Sequence, residues 1–293
     1  MSTVDILGIN CFFVFLLAFD KIKMYTDVKN TYQKKKERRI KMITWAFMNV
    51  KGGVGKTTSS ITFAYILAKK YNKKVLIIDA DKQANTTRAF ECYDVERPSI
   101  AELLMDDKID IHDVIRKTKY ENIDVIPANM KLIKANQTIP MEINKPQQTR
   151  LKIHMDKIQN EYDFCIADCP TDINVAVLNV FAFADNVMIP LKIDSYSFDG
   201  LQYVVDGIND MQYFNSKLSL GKVFITMYQN NNLNKAGIEQ LKYHFGDKLC
   251  KTKVRATVKV QESTYMCPLP EYAPNCTAVQ DYHDLVDECL RSM

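Results

Sequence analysis

Lys51-Gly52-Gly53-Val54-Gly55-Lys56-Thr57-Thr58 brings together the residue types needed to hold a chain of phosphates. Glycines let successive main-chain N–H groups converge on one anion, because no Cβ obstructs the approach. A helix opening at this point adds unpaired N–H groups and a favourable dipole. Lys56 then reaches the β- and γ-phosphates, and the Thr57 hydroxyl binds Mg²⁺. The usual spacing, G-x-x-x-x-G-K-[ST], fails at one place, where Val50 stands for the first glycine. A second lysine, Lys51, opens the loop instead. Two further segments supply carboxylates. Asp79-Ala80-Asp81-Lys82-Gln83-Ala84-Asn85 follows one apolar run, and Asp168 closes another, Phe164–Ala167, ahead of Cys169-Pro170. An Asp at such a strand end is where a phosphate-loop enzyme holds Mg²⁺ through water. Thr57, Asp79 and Asp168 are therefore the metal candidates.

These residues need a sheet edge to meet on, and the chain from residue 42 onward is patterned to make one. Val75-Leu76-Ile77-Ile78 is continuously apolar, the mark of a strand buried on both faces. Similar runs recur at 123–126, 164–167, 187–191 and 223–227, separated by segments of helix length. Thr57–Tyr71 carries Ile61, Ala64, Leu67 and Ala68 at helical spacing. Buried strands alternating with helices imply a three-layer α/β fold, a mostly parallel sheet with helices on both faces. Ligands of such sheets bind outside the carboxyl ends of the strands, where the phosphate loop and the carboxylates fall.

Composition narrows the class. The chain has 293 residues, 47% hydrophobic and 25% charged, which is a globular balance. The eight cysteines include no Cys-x-x-Cys pair, so reduced thiols are expected rather than a disulfide framework or structural zinc. The net charge of +4 is local. Residues 1–41 carry nine Lys/Arg against four Asp/Glu, leaving residues 42–293 at −1. Any nucleic-acid affinity of that part must come from a patch.

With the loop, the Asp79–Asn85 stretch, Asp163–Pro170 and Ile189-Pro190 through Asp199-Gly200-Leu201 in this order, the chain resembles the ParA family of partition ATPases. That family lies within the MinD/ParA group of deviant phosphate-loop proteins. The resemblance runs from about Met42 to the C-terminus and implies a P-loop NTPase fold, with ATP and Mg²⁺ as cofactors. It assigns ATP binding to Lys51, Gly52, Gly53, Val54, Gly55, Lys56, Thr57 and Thr58. Lys51, Lys56 and Asp81 become the catalytic set. Lys51 matches the lysine that reaches a partner subunit's nucleotide, and Asp81 the residue that positions the attacking water. Asp168 matches the water-mediated Mg²⁺ ligand. The implied protein is a slow, partner-stimulated ATPase switch, a homodimer with ATP, cytoplasmic and nucleoid-associated. It would bind DNA non-specifically and work with a ParB-like centromere-binding protein to segregate a plasmid or other mobile element. Lys82, Ala84 and Thr171-Asp172 depart from the family pattern but leave the carboxylates in place.

Lys248, Lys251, Lys253, Arg255 and Lys259 form a basic run. Lys253, Arg255 and Lys259 are the DNA-binding candidates, partly through the resemblance. The competing reading is a solvated edge strand, since Lys blunts exposed edges. A MinD-like membrane-positioning ATPase is one alternative within the group, but Ala278–Leu290, patterned as an amphipathic helix, has an acidic polar side that suits docking on the core rather than a membrane. Two rivals share the fold. A bacterial tyrosine kinase would use Tyr265, Tyr272 or Tyr282, and an iron–sulfur reductase would need cysteines at an interface, which Cys169 does not match. Residues 1–41 form a separate extension: a mis-assigned start or, alternatively, an anchor or arm. Its apolar stretch, Ile6–Phe19, is shorter than the roughly 20 residues that cross a bilayer.

Overall fold

The apolar runs become strands, and each is buried to the depth its composition demands. A computed structural model describes residues 41–194, 197–264 and 267–292. Residues 1–40, and with them the anchor or mis-assigned start, lie outside the described residues, as does Tyr265. The first half comprises β1 (Ile43–Phe47), α1 (Lys56–Tyr71), β2 (Val75–Asp79), α2 (Asn85–Ala89), α3 (Ile100–Met105) and α4 (Ile111–Val114). It continues through β3 (Arg116–Lys117), β4 (Ile123–Ile126), α5 (Lys131–Thr138), α6 (Arg150–Ile158) and β5 (Phe164–Asp168). Then follow α7 (Val175–Phe181), β6 (Asn186–Leu191), α8 (Ser197–Met211), β7 (Ser219–Tyr228) and α9 (Asn232–Phe245). The chain closes with β8 (Leu249–Arg255), α10 (Val258–Ser263), α11 (Leu269–Tyr272) and α12 (Thr277–Arg291).

The strands form one sheet in the order β3-β4-β2-β5-β1-β6-β7-β8. Every pairing is parallel except β3 with β4. Side chains alternate between two cores, as the two-residue period of a strand requires. Ala46, Leu76, Ile78, Ala167 and Ile189 face the helices α3 and α5–α9. Trp45, Phe47, Ile77, Ile166 and Phe224 face α1 and α12. This second core is aromatic. Phe63 of α1 lies between Trp45, Phe47, Phe224 and Tyr282, with ring centroids 5.0–6.4 Å apart. Edge-on and offset pairs of this kind add about 0.5–1.5 kcal/mol each beyond area burial, so α1 is fixed to the sheet directly behind the loop it terminates. The fold is the three-layer arrangement the strand pattern implies.

The C-terminal helix docks as expected, burying Val279, Tyr282, Leu285, Val286 and Cys289. β8 lies at the sheet edge, so the basic run falls on an edge strand and the short helix beyond it. Among the described residues no helix is long and apolar enough to cross a membrane.

One core residue is at odds with its surroundings. His154 of α6 is fully buried, and its ring makes no hydrogen bond of good geometry, only weak approaches to the main chain of Leu103 and Asp106. Burial, and then the Lys157 charge, hold its pKa below the ordinary value. The unfolded chain therefore binds a proton that the folded one resists. Stability is complete above about pH 6.5 and falls as the pH drops below it. Replacing His154 with leucine is expected to raise stability by about 1 kcal/mol at neutral pH and to flatten this acid-side loss. Urea unfolding of parent and variant at several pH values checks both.

Candidate nucleotide site

The three central strands deliver the site. β2, β5 and β1 are neighbours, and their registers set Asp79 beside Asp168 and Asp168 beside Phe47. The loop that leaves β1 therefore opens next to two carboxylates. Gly53 (φ 70°) and Gly55 (φ 84°) take left-handed backbone conformations that cost glycine little. Gly55 is the N-cap of α1, and no side chain caps it. The first N–H groups of the helix are thus left to face a ligand.

The loop is tied down at both ends by residues that sequence reasoning passed over. The Asn49 side chain donates to the Pro190 carbonyl at 2.8 Å and accepts from the Lys51 N–H at 2.9 Å. The Thr226 hydroxyl donates to the Val54 carbonyl at 2.8 Å. Val50, which stands for the missing glycine, packs so close to Gly200 that a Cβ there would lie 2.8 Å from a Val50 methyl. This accounts for a glycine at 200. Lys56 is buried, and its amine donates to the Lys51 carbonyl at 3.0 Å, across the loop. Burial lowers its pKa, and the Asp168 charge opposes that. The Lys51 amine is paired instead with the Asp194 carboxylate, just beyond β6.

The carboxylates differ in what they do. Asp168 accepts from the Thr86 hydroxyl at 2.7 Å through one oxygen, and from the Ser60 hydroxyl at only 3.4 Å through the other. The Thr57 hydroxyl also bonds this carboxylate, which brings the two expected Mg²⁺ ligands together. Asp79 is more heavily engaged. Its Oδ2 accepts from the Thr87 N–H at 2.8 Å and the Thr87 hydroxyl at 2.7 Å, and its Oδ1 from the Asp81 N–H at 3.1 Å. The carboxylate thus shapes the Asp79–Thr87 turn while Oδ1, with one contact, keeps acceptor capacity for a cation or its water. Burial raises the pKa of both groups. The Asp168 charge then pushes Asp79 up further, while the Thr86 and Thr57 hydroxyls restrain Asp168. Two buried carboxyls side by side call for a nearby positive charge beyond Lys56, which is what a divalent cation supplies. Asp81 is half-buried, and its side chain accepts from the Gln83 N–H at 2.9 Å. Ala84, where the family pattern has glycine, adopts φ 56° and ψ 37° at the N-cap of α2.

A cleft of 560 Å³ adjoins the loop at Gly55 and Thr58, between the ends of β7 and β8, with Gln229 and Gln261 in its walls. Its place beside the uncapped helix start suits the nucleoside of a bound nucleotide.

The chain is 34% identical over 248 residues to the sporulation initiation inhibitor protein Soj of Bacillus subtilis (strain 168), covering 83% of this chain and 96% of the relative. It belongs to the ParA/Soj family of partition ATPases. The Soj chromosome-partitioning ATPase of Treponema pallidum (strain Nichols) is 32% identical over 256 residues, 84% of this chain and 96% of the relative. The model of the AAA domain family matches residues 41–220. Among solved structures, a plasmid partition protein of Borrelia burgdorferi B31 bound to AMPPNP aligns with a TM-score of 0.73 at 23% identity, over 87% of this chain and all of that one. As a ParA/Soj-family member, the chain is an ATPase.

Two of the tyrosines that a kinase reading would use are engaged within the fold. Tyr282 is buried and hydrogen-bonded to Ser59 at 2.9 Å, and the Tyr272 hydroxyl donates to Glu262 at 2.8 Å. Cys169 is buried, which pushes its thiol pKa up. Among the described residues no group of three His, Cys, Asp or Glu is placed to hold a metal unaided.

The DNA candidates are not equivalent. Arg255 is committed to Asp281 of α12, with contacts of 2.7 and 2.9 Å and its own N–H on the same carboxylate. It fastens the end of β8 to the C-terminal helix, a role that a basic run in sequence does not reveal. Lys259 pairs with Glu262, and Lys253 lies 5.3 Å from the Tyr228 ring centroid.

Proposed function

We propose that this chain is the ATP-dependent switch of a partition system: it dimerises with ATP, binds DNA without sequence preference and segregates a plasmid or other mobile element. A ParB-like centromere-binding partner accelerates its slow hydrolysis and so releases the dimer. The observation that carries this reading is the division of labour between two lysines on one loop. Lys56 lies over the cradle, whereas the Lys51 amine is held at the rim by Asp194. A rim lysine is placed to serve a nucleotide in a facing subunit, which makes hydrolysis depend on dimerisation.

In this reading Gly52–Thr58 bind the phosphates through main-chain N–H groups, and Lys56 neutralises the β- and γ-oxygens. Thr57, Asp79 and Asp168 would hold Mg²⁺, and the cation would neutralise charge on the phosphates. Asp81 orients the attacking water, and the cleft beside Thr58 takes the nucleoside. Lys51→Gln tests the reading. It is expected to leave nucleotide binding by the monomer within about threefold of the parent, since no cradle N–H is lost, and to abolish ATP-dependent dimerisation or hydrolysis. Light scattering and phosphate release measure these, and parental behaviour in both removes the mechanism.

The same reading places DNA on the β8 edge and α10. Lys253 and Lys259 are the contacts, with Lys251 exposed nearby. Replacing Lys253 and Lys259 together with alanine is expected to weaken binding equally for unrelated sequences. The slope of log affinity against log salt should become shallower by about 1–2. Arg255→Ala, which breaks the tie to Asp281, should lower stability more than the slope. Filter binding at several salt concentrations separates the outcomes. Residues 42–293 carry both cores, and we propose that this segment suffices for ATP and DNA binding.

A further inference from the structure

A second cavity, of 480 Å³, opens on another flank of α1 and meets the phosphate loop only at Thr57 and Thr58. Ile61 and Thr62 of α1, Asn85, Arg88 and Ala89 of α2, and Leu269 of α11 line it. Thr58 is the one residue it shares with the nucleoside cleft. Its size lies within the range of small-molecule sites, about 300–1,000 Å³.

One polar group here lacks the partner such groups normally find. Arg88 stands at the mouth with its guanidinium stacked 3.7 Å from the Tyr93 ring centroid. Among the described residues it makes no side-chain hydrogen bond or ion pair. Stacking orients the guanidinium plane while leaving its N–H edges for a planar anion. Ile61, Ala89 and Leu269 make the rest of the wall apolar.

We propose that this cavity is a binding site for a small amphipathic organic anion, whose carboxylate, sulfonate or phosphate meets Arg88. Its apolar body fills the space against Ile61, Ala89 and Leu269. The site joins the first turns of α1, which carry the phosphate loop, to α2, which directly follows the Asp81 turn. An occupant therefore bears on both halves of the ATPase centre without entering it.

The probe is 1-anilinonaphthalene-8-sulfonate, titrated by fluorescence into the full chain with and without a saturating non-hydrolysable ATP analogue and Mg²⁺. One saturable site is expected, and it should persist when the nucleotide is bound. Arg88→Gln should weaken it at least about tenfold, as loss of a charge-assisted hydrogen bond does. Ala89→Phe, which fills the cavity, should remove it. The uncharged N-phenyl-1-naphthylamine should bind more weakly and ignore Arg88→Gln. Complete displacement of the sulfonate by the nucleotide analogue would overturn the proposal by merging the cavity with the nucleotide site. Parental affinity in Arg88→Gln would overturn it too, and that exposed substitution decides the matter if Ala89→Phe does not fold.

Discussion

Lys56→Ala is expected to reduce ATP affinity at least a hundredfold. The amine of Lys56 sits against the Lys51 carbonyl at 3.0 Å, so it is already placed at the phosphates before a nucleotide arrives. Little reorganisation is needed when ATP binds, and its side chain is desolvated by the fold itself. A charge-assisted hydrogen bond contributes about 1.5–3 kcal/mol. Loss of two, to the β- and γ-oxygens, gives a factor of roughly 10²–10⁴. Titration with a fluorescent ATP analogue measures this directly. An affinity within about threefold of the parent would show that the main-chain cradle binds ATP alone, and that Lys56 has another task.

Asp81→Ala should behave in the opposite way, keeping ATP and losing turnover by about 10²-fold or more. The physical basis is its separation from the scaffold. Asp79 holds the turn through Thr87 and the Asp81 main chain. The Asp81 side chain bonds only the Gln83 N–H. Truncation at Cβ therefore removes the carboxylate proposed to orient the reacting water and leaves the buried network whole. The variant should accumulate as an ATP-bound dimer retained on DNA. Nucleotide content of the purified protein and phosphate release test it together, and hydrolysis at the parental rate would remove Asp81 from the mechanism.

How much of this was legible in the sequence depends on how local each feature is. The phosphate loop occupies eight consecutive residues, and the strands before and after it are continuous apolar runs, so both read directly. The C-terminal helix was equally plain, because its apolar stripe repeats at helical spacing. Asn49 and Thr226 were not legible. Their partners lie 141 and 172 residues away, and nothing in a lone Asn or Thr tells which carbonyl it will meet. The Asp194 partner of Lys51, 143 residues on, was hidden for the same reason. Asp79 and Asp168 both read as strand-end carboxylates, but the hydroxyls of Thr86 and Thr87 that hold them could not be paired with them from the sequence. The Asp281 partner of Arg255 was hidden too, because a run of like charges conceals a carboxylate brought in from 26 residues further along.

The left-handed residue at the start of α2 bears on time rather than on shape. Ala84 holds there a conformation that costs an L-residue about 1–2 kcal/mol and glycine far less. It lies three residues after Asp81, in the turn between that carboxylate and the Thr86 hydroxyl on Asp168. Any rearrangement that releases this turn recovers the cost. Each kilocalorie per mole so recovered on the way to an open state shortens the life of the closed one about fivefold. In the switch proposed above, whose output would be how long it stays in one nucleotide state, a methyl group at one backbone position would then set the length of the tick.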